Sequence, residues 1–333
     1  NLDGNTIRLS AEQGIDVILA QPINFMGNGD IVFNISGVEE DQNPSSKSVQ
    51  QYHPIGQWNY FGVPDYLEPA GDEISDKLLL NINATLPEGR PVPTYNPEYL
   101  NGKDMNTLLV DNADVWVTFV HEGAGYKNVL GYFTYPSGNK PASIDQVDSL
   151  KIIFPNVSLR FSGGGLRTGD KVYLGRFEEG TVISWFLMPN AWNQRSRSIR
   201  NVDEIKYAIN DFNDYTSTAY NQHTLVLNNK EEELLLLSFE DISRPAGDND
   251  FNDAIFYVTA NPYTAVETAD LVPTKVAQDS DGDGLYDHED DYPNDPERAY
   301  QSYWPGKNSY ATVLFEDKWP SIGDYDFNDL VVD

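Results

Sequence analysis

One acid-rich motif occurs twice in the chain without a gap, and it constrains the fold more than any other feature. The segments "FEDISRPAGDNDFND" at 239–253 and "FEDKWPSIGDYDFND" at 315–329 share nine positions at fixed spacing. Each copy lies between two strand-like apolar runs, which predicts a strand, an acidic connection and a second strand. In this arrangement the Phe side chains point to a core and the carboxylates point to the side of the connection.

The motif crowds carboxylates and an amide carbonyl together, and it contains no nitrogen or sulfur ligand. Ca²⁺ binds about 6–8 hard oxygen donors of this kind, so we predict a Ca²⁺ site in each copy. The predicted ligands of the first copy are Glu240, Asp241, Asp248, Asp250, Asn252 and Asp253. Those of the second copy are Glu316, Asp317, Asp324, Asp326, Asn328 and Asp329. The alternative interpretation is a solvated acidic turn without an ion.

A second calcium signal is the segment "DSDGDGLYDHED" at 279–290. Its acids and Gly284 match the spacing of the twelve-residue calcium loop. The predicted ligands are Asp279, Asp281, Asp283, the carbonyl of Leu285, Asp287 and Asp290. The loop departs from an EF-hand, because its last position is Asp and no amphipathic helix flanks it. Together with "DDYPNDPERA" it resembles a thrombospondin type 3 repeat, which implies that Ca²⁺ stiffens a connector; the alternative is a flexible Asp-Gly linker.

Short segments rich in β-branched and aromatic residues predict an all-β protein. We expect a β-sandwich or jelly-roll-like core with long loops and a calcium-binding linker. The clearest strands are 114–120, 171–177, 181–187, 224–227, 234–239, 254–258 and 311–315, and one short helix is predicted over 202–211. The predicted divisions are an irregular, loop-rich region at 1–105, a sandwich domain at 106–262, a linker with the calcium loop at 263–300 and the start of a further β domain at 301–333.

The net charge and the numbers of cysteine and histidine residues argue against several classes of protein. Lys and Arg number 22 against 52 Asp and Glu, so the net charge of −30 disfavours nucleic acids and anionic membrane surfaces as partners. The absence of cysteine excludes disulfides and thiolate metal sites, and four scattered histidines disfavour zinc. No apolar run approaches the roughly 18 residues of a membrane span.

Several segments resemble a bacterial family. The segments "VPDYLEP", "DVWVTFVHEGAGYKNVLGYFTYP" and "GTVISWFLMPNAW" resemble the LruC-domain proteins, which are secreted or envelope-associated. Residues 163–260 are similar to a bacterial extracellular domain of unassigned function that is thought to bind calcium, and 315–333 are similar to the opening of a LruC domain. The resemblance implies a secreted or cell-surface protein whose signal sequence has been removed, and a LruC domain that continues past Asp333. It also suggests Glu122, in "HEGAGYKN", as a further ligand of the first site, although a solvated hairpin explains that segment equally well.

The motifs favour a binding module over an enzyme. The chain has neither a G-x-S-x-G elbow nor a phosphate-binding loop, and carboxylates bound to Ca²⁺ are poor general acids. We therefore expect a calcium-binding module for adhesion, surface architecture or calcium-dependent binding of a glycan or peptide, with an oligomeric state that the sequence leaves open. A glycosidase that uses paired carboxylates is the alternative. Candidate platforms for stacking on a glycan are Trp58, Tyr60, Trp192 and Trp304.

Overall fold

The computed structural model describes residues 52–123, 125–200, 202, 204–213, 217–244, 246–303, 305–309, 311–315 and 330–332. Most of the regular structure in these residues is β-strand. The strands are β1 (Tyr52–Pro54), β2 (Thr107–Leu108), β3 (Ala113–His121), β4 (Asn128–Pro136), β5 (Leu150–Val157), β6 (Lys171–Phe177), β7 (Thr181–Met188), β8 (Trp192–Asn193), β9 (Ser198–Ile199), β10 (Lys206–Tyr207), β11 (Thr224–Asn229), β12 (Leu234–Phe239), β13 (Ala254–Asn261), β14 (Val313–Phe315) and β15 (Leu330–Val332). The α-helices are α1 (Asp76–Thr85) and α2 (Val92–Tyr95), and short 3₁₀ helices cover Pro97–Tyr99, Ile144–Gln146, Asn210–Phe212, Thr218–Tyr220 and Tyr263–Ala265.

Two sheets form a sandwich, which confirms the all-β prediction. One sheet has the order β1-β5-β4-β7-β10 with β2 beside β7, and the other has the order β11-β12-β13-β3-β6. All pairs are antiparallel except β1 with β5. The main core lies between the sheets, where Phe119 and Phe256 of one sheet pack with Phe154 of the other, and Trp185 and Leu237 are also fully buried. The predicted strands at 171–177 and 234–239 have the observed bounds.

Helix α1 and the segment after it cover the outer face of the five-stranded sheet. Leu78 and Ile82 of the helix belong to a core cluster with Leu225 and Leu236. Because this sheet is covered on both faces, β12 reads as a continuous apolar run instead of an alternating one. The side chain of Ser75 caps the helix by accepting a hydrogen bond from the Leu78 N–H at 3.1 Å. The sequence analysis did not predict this helix, which lies in the region expected to be irregular.

The helix predicted over 202–211 is wrong for the described residues of that segment. Lys206 and Tyr207 form strand β10 against β7, and a 3₁₀ turn follows at Asn210–Phe212. The side-chain amide of Asn213 binds both the N–H and the carbonyl of Tyr207, at 2.9 and 2.8 Å. Pairing with the sheet and this local bridge therefore outweigh a weak helical period.

Strands β14 and β15 form a separate two-stranded pair near the end of the chain. Among the described residues, no helix is both long enough and apolar enough to span a bilayer. The domain boundaries stay predictions.

Candidate functional site

The two copies of the acidic motif join paired strands with the same register. Phe239 at the end of β12 pairs with Ala254 at the start of β13. Phe315 at the end of β14 pairs with Leu330 at the start of β15. The connections 240–253 and 316–329 thus have equal length, and the sequence repeat is also a repeat of strand pairing. The predicted ligands of the second copy lie outside the described residues, so the site is built from the first copy.

The first connection holds two large or polar residues in a left-handed backbone conformation. Asn249 has φ 63° and Phe251 has φ 62°. This region is uncommon for any residue except glycine and is unusual for one as bulky as Phe. Phe251 is fully buried in the cluster beneath helix α1, with the Arg244 guanidinium 5.3 Å from its ring centroid. Burial of Phe251 therefore fixes the position of the connection between the predicted ligands Asp250 and Asn252, which precede and follow it in the chain.

A segment outside the motif completes the connection. The Gly89 N–H donates to Oδ2 of Asp250 at 3.0 Å, and the Asn252 amide donates to Oε2 of Glu88 at 3.1 Å. One carboxylate oxygen each from Glu88, Asp248 and Asp250 lie within 4.8 Å of one another. Glu88 thus joins two predicted ligands, and the sequence analysis missed it because this lone acid sits in a Pro-rich loop far from the motif.

Glu240 is the most unusual acid of the connection. Its side chain is 0% exposed, and neither carboxylate oxygen has a hydrogen-bond partner. It points toward the middle of the connection, because a β-carbon added at Gly247 would lie 2.0 Å from its Oε1. Burial, together with the charges of Asp253, Asp248, Asp250 and Asp241, raises the pKa of Glu240 to about 8.

Three other acids of the motif, of which Asp241 and Asp250 are buried and Asp253 is half-buried, accept hydrogen bonds. Asp253 accepts a hydrogen bond from the Asp241 N–H at 2.8 Å, and burial and the Asp241 charge raise its pKa to about 7. Asp241 accepts from the Asn128 amide at 2.7 Å, which ties the motif to strand β4. Burial also raises the pKa of Asp241 and of Asp250. The fold therefore holds several carboxyl groups in an environment that opposes their ionisation.

Two buried cationic side chains, Arg244 and Lys206, lie near enough to the cluster to interact with the charges of Glu240 and Asp241. The Arg244 guanidinium donates to Oδ1 of Asn249 and to the carbonyls of Ala219 and Gln222. Lys206 donates to Oε2 of Glu204 and to the Ser243 hydroxyl. Two cations do not neutralise Glu88 and the five acids of the motif, so the cluster keeps a net negative charge when all its carboxyl groups are ionised.

Glu122 lies next to the motif and, like Glu240, has two buried carboxylate oxygens for which the described residues provide no hydrogen-bond partner. Its neighbour Gly123 contacts the motif, since the Gly123 N–H donates to the Asp253 carbonyl at 3.3 Å. Its own carboxylate is buried beside polar groups of Ser162, Leu159 and Ser158, which only partly oppose the increase in its pKa caused by burial. Like Glu240, Asp241 and Asp253, Glu122 is outside the group formed by Glu88, Asp248 and Asp250.

The loop at 279–290 brings three of its predicted ligands together. Carboxylate oxygens of Asp279, Asp281 and Asp283 lie within 4.8 Å of one another. Asp279 accepts from the N–H groups of Gly282 and Gly284 at 2.8 and 3.1 Å, and both glycines have positive φ. The loop therefore folds around the side chain of its first acid.

The remaining acids of this loop have other contacts. Asp287 accepts from the N–H and the hydroxyl of Ser280, at 2.8 and 2.6 Å. Asp290 is 1% exposed, its Oδ1 accepts from the Tyr292 N–H at 2.7 Å, and its Oδ2 has no hydrogen-bond partner. The Leu285 N–H donates to Oδ1 of Asp283 at 2.8 Å. These contacts stabilise the loop locally.

Comparison with known proteins places one named domain on the chain. Residues 177–261 match the family model described as "Domain of unknown function (DUF4114)". The match overlaps the predicted domain of unassigned function at 163–260 and includes the first acidic motif, but it covers well under half of the chain. No curated protein and no solved structure gave a significant match. The resemblance to LruC-domain proteins stays a prediction.

The candidate stacking residues are not all available at the surface. Trp192 is buried, and its ring packs edge-on against Trp58 with 6.1 Å between centroids. Trp58 also donates its indole N–H to the Arg197 carbonyl at 3.0 Å. Tyr60 is exposed and lies under the Arg197 guanidinium, whereas Trp304 lies outside the described residues. Trp192 therefore belongs to the core.

Proposed function

We propose that this chain is a calcium-binding β-sandwich module of the bacterial cell surface or exterior, in which the first acidic motif and Glu88 hold a Ca²⁺ ion. The observation that carries the proposal is Glu240, whose carboxylate is fully buried, has no hydrogen-bond partner and faces four other acids. An ionised carboxylate is strongly destabilised in such a place unless a cation pairs with it.

The chemistry of the donors favours Ca²⁺ over other cations. Every side chain proposed as a ligand offers oxygen, and the ligands come from the connection 240–253 and from the separate segment that contains Glu88. Ca²⁺ accepts irregular shells of oxygen ligands, whereas Mg²⁺ needs a near-ideal octahedron and Zn²⁺ prefers nitrogen or sulfur.

The biological role that we propose is structural stabilisation linked to adhesion or ligand binding. The ion would neutralise acids on the connection between β12 and β13, two strands at the centre of one sheet. Ligand binding to the folded state alone increases the free energy of unfolding, so calcium would make folding depend on the extracellular environment.

Isothermal titration calorimetry with a matched pair of variants tests this proposal. Glu240→Gln removes the buried charge while it keeps the side chain's size, and Glu232→Gln changes an exposed acid in the turn between β11 and β12. We expect wild type and Glu232→Gln to bind one more Ca²⁺ ion than Glu240→Gln, with magnesium giving much weaker heats. Equal calcium binding by all three proteins would refute the assignment of this site.

A glycosidase is the second candidate because of one specific observation. The pKa of about 8 for Glu240, beside acids with lower pKa values, is the property of a general acid in such enzymes. Against it stands the complete burial of Glu240, which keeps a glycosidic oxygen at a distance. Hydrolysis of a polysaccharide by wild type in chelator, lost in Glu240→Gln and inhibited by calcium, would favour the enzyme.

A further inference from the structure

A groove with both apolar and polar lining opens beside the first acidic motif. Its volume is about 1050 Å³. One wall is the segment 91–102, which contains helix α2, and the other wall is the segment 218–222 with the preceding 3₁₀ turn at 210–211. The groove ends at Gly247, Asp248 and Asn249 of the motif. Asp248 therefore belongs both to the candidate cation site and to the lining of a groove that is large enough for several sugar units.

The acids of the motif differ in their access to this groove. Glu240 is fully buried, whereas Asp248 is exposed and lines the groove. Asp248 also has an oxygen within 4.8 Å of those of Glu88 and Asp250. In this group Asp250 is buried and Glu88 and Asp248 are exposed, and Asp248 lines the groove, so an ion bound by the group would lie at the edge of the groove. Ca²⁺ accepts about 6–8 oxygens, so ligand oxygens can complete its shell.

We propose that this groove binds a neutral polysaccharide, and that a pair of adjacent hydroxyl groups of one sugar coordinates the bound Ca²⁺ at the Asp248 end. The proposal rests on the calcium site proposed above and names the ligand class of that site. A vicinal diol supplies two neutral oxygens at a spacing that suits one large cation, and it adds no charge to an acidic surface.

The walls of the groove match the two kinds of surface that a sugar presents. Pro91, Pro93 and Pro97 give one wall a rigid apolar surface that suits the C–H face of a sugar ring. Asn101 and Asn221 offer amide groups, which suit hydroxyl groups. Proline has little conformational freedom to lose on binding, so this wall is preorganised.

Arg244 lines the groove and joins its second wall to the motif. Its guanidinium donates to the carbonyls of Ala219 and Gln222 in the wall and to Oδ1 of Asn249 in the motif. Only 5% of its surface is exposed. Asp211, which also lines the groove, and the net charge of −30 disfavour a polyanion. These charges select a neutral chain.

Affinity electrophoresis in gels that contain a polysaccharide tests the proposal with the whole protein. The probes are mannan, galactan, xylan, a β-glucan and, as the anionic comparison, alginate, each run with calcium and with chelator. We expect at least one neutral polysaccharide to retard the protein in calcium, and chelator to weaken the retention about tenfold or more, which corresponds to roughly 1.4 kcal/mol.

Two threonine variants identify the groove. Thr94→Trp puts a large side chain into the groove from an exposed position on helix α2, and Thr264→Trp makes the same change at an exposed 3₁₀ turn that does not line it. We expect Thr94→Trp to lose retention while it binds calcium normally by calorimetry, and Thr264→Trp to behave as wild type.

Each contrary outcome overturns a different claim. Normal calcium binding without retention by any neutral polysaccharide overturns the groove proposal and leaves the calcium site intact. Retention only by alginate overturns the choice of a neutral ligand. Retention that persists in chelator overturns the role of the ion, and retention that persists in Thr94→Trp overturns the role of the groove. If the wild-type protein does not bind calcium, both proposals are overturned.

Discussion

The connection 240–253 and the loop 279–290 are both rich in Asp, yet the first acid of each is held in an opposite way. In the connection, Glu240 is fully buried without a hydrogen-bond partner. In the loop, Asp279 and Asp283 accept hydrogen bonds from backbone N–H groups of the loop itself, and Asp279 is exposed. One region therefore concentrates charge that its surroundings oppose, and the other uses charge to hold a turn.

The difference predicts different consequences of losing calcium. Without an ion, the connection must either protonate its acids or bear their repulsion, and both β12 and β13 are attached to it. The loop 279–290 keeps its backbone hydrogen bonds without an ion, and its first acid, Asp279, is exposed. Calcium bound at the connection should thus govern the stability of the sandwich, whereas calcium bound at the loop should govern only local order.

The largest expected effect is the response of global unfolding to calcium. At a calcium concentration a thousand times the dissociation constant, one site adds about 4 kcal/mol to the free energy of unfolding. For a domain of this size that corresponds to an increase in Tm of roughly 10 °C. Calorimetric unfolding of wild type in calcium and in chelator measures it, with magnesium as the control. A Tm that is equal in calcium and in chelator would contradict the expectation that calcium bound at the connection stabilises the sandwich.

The second prediction concerns pH in the presence of chelator. The pKa values of Glu240 and Asp253, about 8 and 7, are above those of the same groups in an unfolded chain. The folded protein therefore holds protons that the unfolded chain releases, and stability falls as pH rises from about 4 through these two values. Calcium, which pairs with the ionised groups, should reduce this fall.

Denaturant unfolding between pH 5 and about 9 checks the sign. Glu240→Gln keeps a neutral group at this position, so in chelator the variant should lose less stability at alkaline pH than wild type does. In calcium the order should reverse, because the variant has lost a ligand. A wild-type protein whose stability in chelator increases over this range would contradict the raised pKa values.

The third prediction tests the packing around Glu240. A β-carbon at Gly247 would lie 2.0 Å from Oε1 of Glu240, so Gly247→Ala should displace this carboxylate. We expect calcium affinity at the connection to fall about tenfold, which is roughly 1.4 kcal/mol of binding free energy. Gly306→Ala is the matched control, since its added carbon would have only the Ser309 hydroxyl, at 3.4 Å, as its nearest neighbour. Calorimetric titration of both variants with calcium makes the comparison.

The sequence carries much of the information on strands and little on burial. The segments 171–177 and 234–239 have the predicted bounds because their residue types suit strands and turn residues flank them. The gapless repeat also reported a true structural relation, since Phe239 and Phe315 pair with residues at the same distance along the chain. Local composition was sufficient for both inferences.

The sequence analysis missed features of the site that depend on tertiary contacts. Glu88 lies far from the motif in the chain, and only the packing of the segment after helix α1 brings it to Asp250. Burial also separates Glu240 from Asp248, although both were predicted as equivalent ligands. Helix α1 had a local signal in Ser75 and the spacing of Leu78 and Ile82, which the neighbouring Pro-rich segments obscured.

The smallest expected effect is that of Asp279→Asn on global stability. Asp279 is exposed and holds its turn through the N–H groups of Gly282 and Gly284, and an Asn side chain keeps one oxygen for that role. The Tm of the sandwich should therefore hardly change, in calcium or in chelator. Amide hydrogen exchange within 279–290 should nevertheless become faster in calcium, because the variant lacks one of the proposed charged ligands. Strands β12 and β13 should keep their protection from exchange.

If Asp279→Asn instead lowered the Tm as much as Glu240→Gln does, the loop would be part of the same cooperative unit as the connection. The contact of Arg90 with the Asp290 carbonyl at 3.2 Å, one residue after the Gly89 contact with Asp250, would then be the physical link between the two regions.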